Sequence, residues 1–163
     1  MINKCVVFSL PDGSVRVVHP AYNDPVTGLK IGESEDDYIS RVISRNIATG
    51  VIPPSTVYKI LPEADLPSRT YRDSWRFNGV SVAHDMSVAR QTKIDQEIRP
   101  ERNKRLQNLD SEWSRAMAQG NVVVADRVEQ KRQILRDIPQ TVSESLNSIQ
   151  TVSELKNYIP SWP

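Results

Sequence analysis

The sequence is poor in most of the residues that build chemical sites. Its 163 residues include one cysteine, two histidines and six glycines, and aromatics make up only 6%. A single cysteine, Cys5, excludes an intrachain disulfide framework and a four-cysteine zinc site. No apolar run approaches the roughly 18 residues that a membrane span needs, and the N-terminus lacks a signal-peptide pattern. An excess of one charge is missing too: 21 Lys and Arg face 20 Asp and Glu, for a net charge of +1. Nucleic-acid binding through overall charge is therefore disfavoured. Apolar residues reach 38%, below the usual share of roughly 45–50%, so part of the chain is expected to lean on a partner or stay extended. The expectation is a soluble, cytosolic protein without a cofactor.

A search for catalytic patterns returns little. The sequence holds no His-Glu-x-x-His, no Gly-x-Ser-x-Gly, no Gly-x-Gly-x-x-Gly and no phosphate loop. Cys5 with His19 or His84 is the one available thiol–imidazole pairing, but Cys5 sits in an apolar strand where a buried thiol is ordinary. Glu33, Glu35, Asp36 and Asp37 crowd a helix start, where carboxylates suit the positive end of the macrodipole. Arg99, Arg102, Lys104 and Arg105 form a basic group without interleaved aromatics for base stacking. No catalytic, cofactor or metal residue is assigned.

What the chain does carry is clear patterning. Cys5 to Leu10, then Pro11-Asp12-Gly13, then Ser14 to His19 read as a β-hairpin with a type I′ turn at Asp-Gly. A long loop follows from Pro20 to Gly32. Ser34 is an N-cap for a helix whose apolar stripe is Tyr38, Ile39, Val42, Ile43 and Ile47, stopped at Gly50. Thr56 to Leu61 reads as a strand, Ser68 to Trp75 as a short helical turn, and Trp75–Phe77, Asn78-Gly79 and Val80–Val82 as a second hairpin. Val6, Phe8, Ile39, Val42, Ile43 and Val57 are the expected core of this part.

At Asp85 the pattern turns helical. Pro100 is the only proline between Met86 and Gln119, and either kinks the helix or starts a second one. Leu106, Leu109, Trp113, Ala116 and Met117 form one apolar seam. After the Gly120-Asn121 turn, Val124, Val128, Leu135 and Ile138 form another, broken by Lys131, and Pro139 is expected to end that helix. Thr151-Val152-Ser153-Glu154 is a capping-box pattern for a short last helix. The organisation predicted is α+β: an N-terminal module over residues 1–84, an antiparallel helical hairpin over 85–139, and a tail over 140–163.

Several runs in the C-terminal half carry a family resemblance. They are Arg69-Thr70-Tyr71-Arg72-Asp73-Ser74-Trp75, His84-Asp85-Met86 with Ala89-Arg90, and Leu109-Asp110 with Trp113, Ala116 and Gly120. Gln133, Leu135-Arg136-Asp137-Ile138-Pro139 and Glu154-Leu155-Lys156 complete the set, close to the terminal tryptophan and proline. This half of the chain resembles tailed-bacteriophage tail-assembly chaperones and tail-fibre-associated proteins, while residues 1–67 carry no such resemblance. The resemblance implies a non-enzymatic role in the virion or the infected host cytoplasm, with phage tail or fibre structural proteins, or further copies of the chain, as partners. The protein-interaction set is then expected to be Leu106, Leu109, Trp113, Met117, Val124, Val128, Leu135 and Ile138. The alternatives from other classes are a nucleic-acid-associated factor using the basic group and a thiol enzyme built on Cys5 and His84.

Overall fold

Strand β1 (Lys4–Ser9) is the middle strand of an antiparallel sheet ordered β2-β1-β3, with β2 spanning Val15–Val18 and β3 Tyr58–Pro62. Four consecutive β1 residues, Cys5 to Phe8, are fully buried, because both faces of the strand are covered. On one face Val6 packs against Ile39 and Ile43 of helix α1 (Glu35–Ala48). On the other, Cys5 and Val7 meet Val17, Leu61, Trp75 and Val82, the last two from a second hairpin formed by β4 (Trp75–Phe77) and β5 (Val82–His84). Each such aliphatic side chain stabilises the fold by about 1.5–3 kcal/mol when fully buried. These coordinates are a computed structural model that describes residues 4–163.

Helix α1 begins and ends as its sequence dictates. The Ser34 hydroxyl accepts the Asp37 amide at 3.2 Å, and the chain leaves the helix through Gly50 at φ +74°, a left-handed position suited to glycine. The two hairpin turns differ from type I′. Gly13 and Gly79 have positive φ, but Asp12 and Asn78 do not. Their side chains close the turns instead: Asp12 accepts the Ser14 amide at 2.9 Å, and Asn78 accepts those of Val80 and Ser81 at 2.9 Å each. Leu10 and Ser14 thus bracket a three-residue loop, Pro11-Asp12-Gly13, with glycine at its left-handed position. Strand β3 starts two residues later than expected, and Val57 is 69% exposed rather than in the core.

The long loop before α1 is stapled from within. Arg41 donates to both Glu33 carboxylate oxygens at 2.8 Å, to Gly28 O at 2.8 Å and to Thr27 O at 3.3 Å. Asp24 accepts the amides of Val26 and Thr27.

The chain divides into two units, Met1–Asp85 and Met86–Pro163. The second is entirely helical. Helix α2 (Met86–Lys93) runs through a wide turn over Ile94–Ile98 into α3 (Arg99–Ala118). In that turn the Arg99 amide reaches back five residues to Ile94 O. Pro100 follows at once, and its ring would collide with the carbonyl four residues earlier in a regular helix. The wider turn is where such a misfit is absorbed, so the rod continues without a break.

Helix α4 (Val122–Asn147) is capped by Asn121, which accepts the Val124 amide at 3.2 Å. It passes through Pro139 and ends eight residues beyond the expected stop, so the helical hairpin reaches Asn147 and the tail is correspondingly shorter. An internal proline costs a helix roughly 3 kcal/mol. Beyond it, Val142 and Leu146 are both buried, together contributing about 3–6 kcal/mol. Packing outweighs the proline. Helix α5 (Val152–Asn157) carries the expected capping box, with Thr151 and Glu154 each accepting the other's amide.

Candidate docking surface

The expected interaction residues fall into three environments. Val128, Leu135 and Ile138 are interior, forming with Ala125, Val142 and Leu146 the buried stripe of α4. They hold the unit together and are closed to a partner, which corrects their assignment to a docking face. Leu106, Leu109, Trp113 and Val124 are half-buried. Met117 alone of the set is open, 49% exposed at the end of α3.

Beside Met117 in the chain, across the Gly120 turn, lie two residues that seam spacing passed over. Val122 is 60% exposed and Val123 70%. Together the three place an apolar cap at the tip of the hairpin, and Ile134 is exposed further along α4. The signal was present in the sequence as three consecutive valines following Gly120-Asn121. A stripe-based reading keeps only Val124, because an exposed helix start has no periodicity to follow.

Below the tip, the two helices are tied by a polar network around Trp113. The Arg132 guanidinium lies over the indole ring, 5.5 Å from its centroid, and its Nη2 meets Asp110 at 2.8 Å. Arg132 also pairs with Glu129, which in turn accepts from Arg136 at 2.7 Å. Those hydrogen bonds, Arg136 foremost, hold the Glu129 carboxyl below its ordinary range. A cation over an indole contributes roughly 0.5–1 kcal/mol at a site open to solvent. The hairpin is thus stapled internally below the tip.

The other candidate groups are occupied by local partners. Arg99 pairs with Asp95 at 2.9 Å and Arg105 with Glu101 at 2.8 Å, and Arg102 bonds the Asn103 side chain. Arg105 also stacks on Trp162, 4.7 Å from its ring centroid. Most of the basic group is therefore engaged with its own unit. In the acidic cluster, Glu33 belongs to the Arg41 clamp, Glu35 and Asp36 to Lys4, and Asp37 to Ser34. Among the described residues, no three metal-ligating side chains converge, and no helix is long and apolar enough to cross a membrane.

Cys5 is fully buried, and its thiol donates to Leu61 O at 3.4 Å. Burial pushes its pKa up to about 11, the reverse of what an activated nucleophile needs. Neither histidine pairs with it: His19 Nδ1 lies 3.5 Å from Glu63, and His84 Nδ1 lies 2.8 Å from the Ser74 hydroxyl. A cleft of about 660 Å³ in the first unit is lined by Lys4, His19, Tyr22, Asp24 and Glu63 among others. Lys4, Tyr22 and the His19–Glu63 pair already bond one another or Glu35.

No family model, curated protein or solved structure matches this chain.

Proposed function

We propose that the chain is a non-enzymatic bacteriophage protein of the tail or tail-fibre region, acting by protein–protein docking in virion structure or in tail assembly. The observation that carries the docking element is the apolar tip, Met117, Val122 and Val123, held open on a hairpin whose own seam is satisfied internally. Exposed apolar groups gathered at one place favour a protein partner. The buried, unactivated thiol and the pairing of Arg99 and Arg105 with carboxylates of their own helix lend no support to the enzyme and nucleic-acid readings. The phage context rests on the resemblance of the runs around Trp75, Trp113 and Leu135 to Pro139.

The test has two arms. Tagged chain is expressed in infected cells, and co-purifying proteins are identified by mass spectrometry beside the proteins of purified particles. The expected result is capture of tail or fibre proteins by the native chain and its loss in Met117→Ser/Val122→Ser/Val123→Ser. Absence from particles together with no captured tail protein overturns the proposal. Capture undiminished by the triple substitution overturns the tip as the docking element.

A further inference from the structure

The docking reading leaves His84 unused, and its surroundings form a closed polar cluster inside the first unit. Ser74 is completely buried, and its hydroxyl lies 2.7 Å from Tyr71 O and 2.8 Å from His84 Nδ1. A hydroxyl has one hydrogen, and a carbonyl can only accept. Tyr71 O is also met by the Ser74 amide, so the hydroxyl hydrogen serves either Tyr71 O or Nδ1, and the neutral ring carries its single proton on the nitrogen that this choice leaves. The other ring nitrogen is Nε2. It is sealed from solvent and has no hydrogen-bond partner.

The segment that closes over the ring is held in a costly shape. Tyr71 is left-handed at φ +53°, a conformation that bulky side chains rarely adopt. Bonds from Ser74 to Tyr71 O, through both its amide and its hydroxyl, keep it there. Trp75 packs edge-on against His84 with ring centroids 6.4 Å apart, and its indole donates to Ser68 O. The Asp85 amide closes the end of the hairpin on Ser74 O at 2.8 Å.

The titratable and charged side chains on the packed segments are Arg69, Tyr71, Arg72, Asp73, Arg76 and Asp85, with Cys5, Arg16 and Lys59 on the sheet. None of them bonds the imidazole. Arg72 stacks on Trp75, Arg76 bonds the Asp73 and Trp75 carbonyls, Arg16 bonds Val51 O and Lys59 bonds Val80 O. The carbonyls of Ser68 and Tyr71 favour the charged ring in part, but desolvation outweighs them and pushes the pKa of His84 down from its ordinary 6.5.

We propose that His84, Ser74 and the Ser68–Ser74 segment form an acid-released latch on the β4–β5 hairpin. Neutral His84 holds it shut, and a second proton on the buried ring opens it, freeing Tyr71 from its left-handed conformation. The sign follows from linkage. The folded state binds this proton less readily than the unfolded chain does, so the contribution of His84 is complete above about pH 6.5 and fades as pH falls below it.

The experiment is amide hydrogen exchange by NMR on the full chain, from about pH 7.5 to 5, a window above most carboxylate titrations. The reporters are the Asn78 amide, bonded to Ser81 O, and the Asp85 amide, bonded to Ser74 O. Both are expected to lose protection on acidification in the native chain and to keep it in His84→Asn, which retains a hydrogen-bonding amide toward Ser74 and cannot charge. Retained protection at pH 5 in the native chain overturns the latch, as does an equal loss in His84→Asn. Ring nitrogen shifts of the native chain give a second reading that does not depend on the variant. They are expected to report a neutral ring at about pH 7.5, and conversion to the doubly protonated ring while both amides stay protected overturns the proposal.

Discussion

Replacing Pro139 by alanine should stabilise the second unit. In α4 the residue at 139 lies where an amide would bond Leu135 O, and proline supplies none. Restoring a regular interior residue recovers about 3 kcal/mol of helix propensity. Against this, alanine lacks two ring carbons at a half-buried position, a loss of about 0.8 kcal/mol at half the usual value per methylene. The net expectation is a gain of roughly 2 kcal/mol. Urea unfolding followed by the separate fluorine resonances of 5-fluorotryptophan at Trp113 and Trp162 reads this unit, since both indoles lie in it and Trp75 lies in the other. The midpoint should rise with an unchanged slope. A lowered midpoint would refute the reasoning, because it would mean that Leu135, Ile138, Val142 and Leu146 reach their buried positions only on a helix bent by the proline.

Three further outcomes follow from named contacts. Trp113→Ala should destabilise the second unit by roughly 2–3 kcal/mol, about half the cost at a fully buried site plus the lost Arg132 stacking, measured by the same urea titration. Gly28→Ala places a Cβ 2.4 Å from Asp24 O and 2.6 Å from Tyr22 O, and should cost about 1–3 kcal/mol, with faster amide exchange at Gly28 and Leu29 as the local signature. The Glu33 carboxyl is held at about 2, chiefly by its bonds to Arg41. Its contribution is full above the ordinary value of 4.5 and lost as pH falls through 2, so the stability gap between the native chain and Glu33→Gln should shrink across that interval and stay constant above it.

Legibility from sequence divides along physical lines. Features set by a few adjacent residues read correctly: the Ser34 cap, the Gly50 exit, the capping box at Thr151, and glycine with positive φ at positions 13 and 79. These are local energies that neighbours rarely override. Failures arose where tertiary packing competes. Pro139 looks like a stop until the burial of Val142 and Leu146 is counted. Type I′ turns were expected from backbone preference alone, but the Asp12 and Asn78 side chains supplied another closure. The apolar seam was legible as a stripe, yet spacing alone does not tell a face spent on the unit's own core from one left for a partner. Val128 and Leu135 are spent in this way, whereas Met117 and the unassigned Val122 and Val123 stay open.

The wide turn at Ile94–Ile98 has a consequence for how the chain tolerates changes in length. A turn closed by bonds to the fifth residue holds one residue more than a regular turn spanning the same rise. Deleting one residue almost anywhere else in α3 or α4 would rotate everything downstream by about 100° and swing Leu135 or Ala116 out of the interior. Within the wide turn the surplus residue can be given up while Ala89 and Ala116 keep their faces, provided Pro100 is replaced in the same step so that the narrowed turn has no ring to accommodate. This short stretch is therefore the place in the helical unit where a one-residue deletion, made together with a replacement of Pro100, is expected to leave the downstream register unchanged, and where homologous chains of unequal length would be expected to differ.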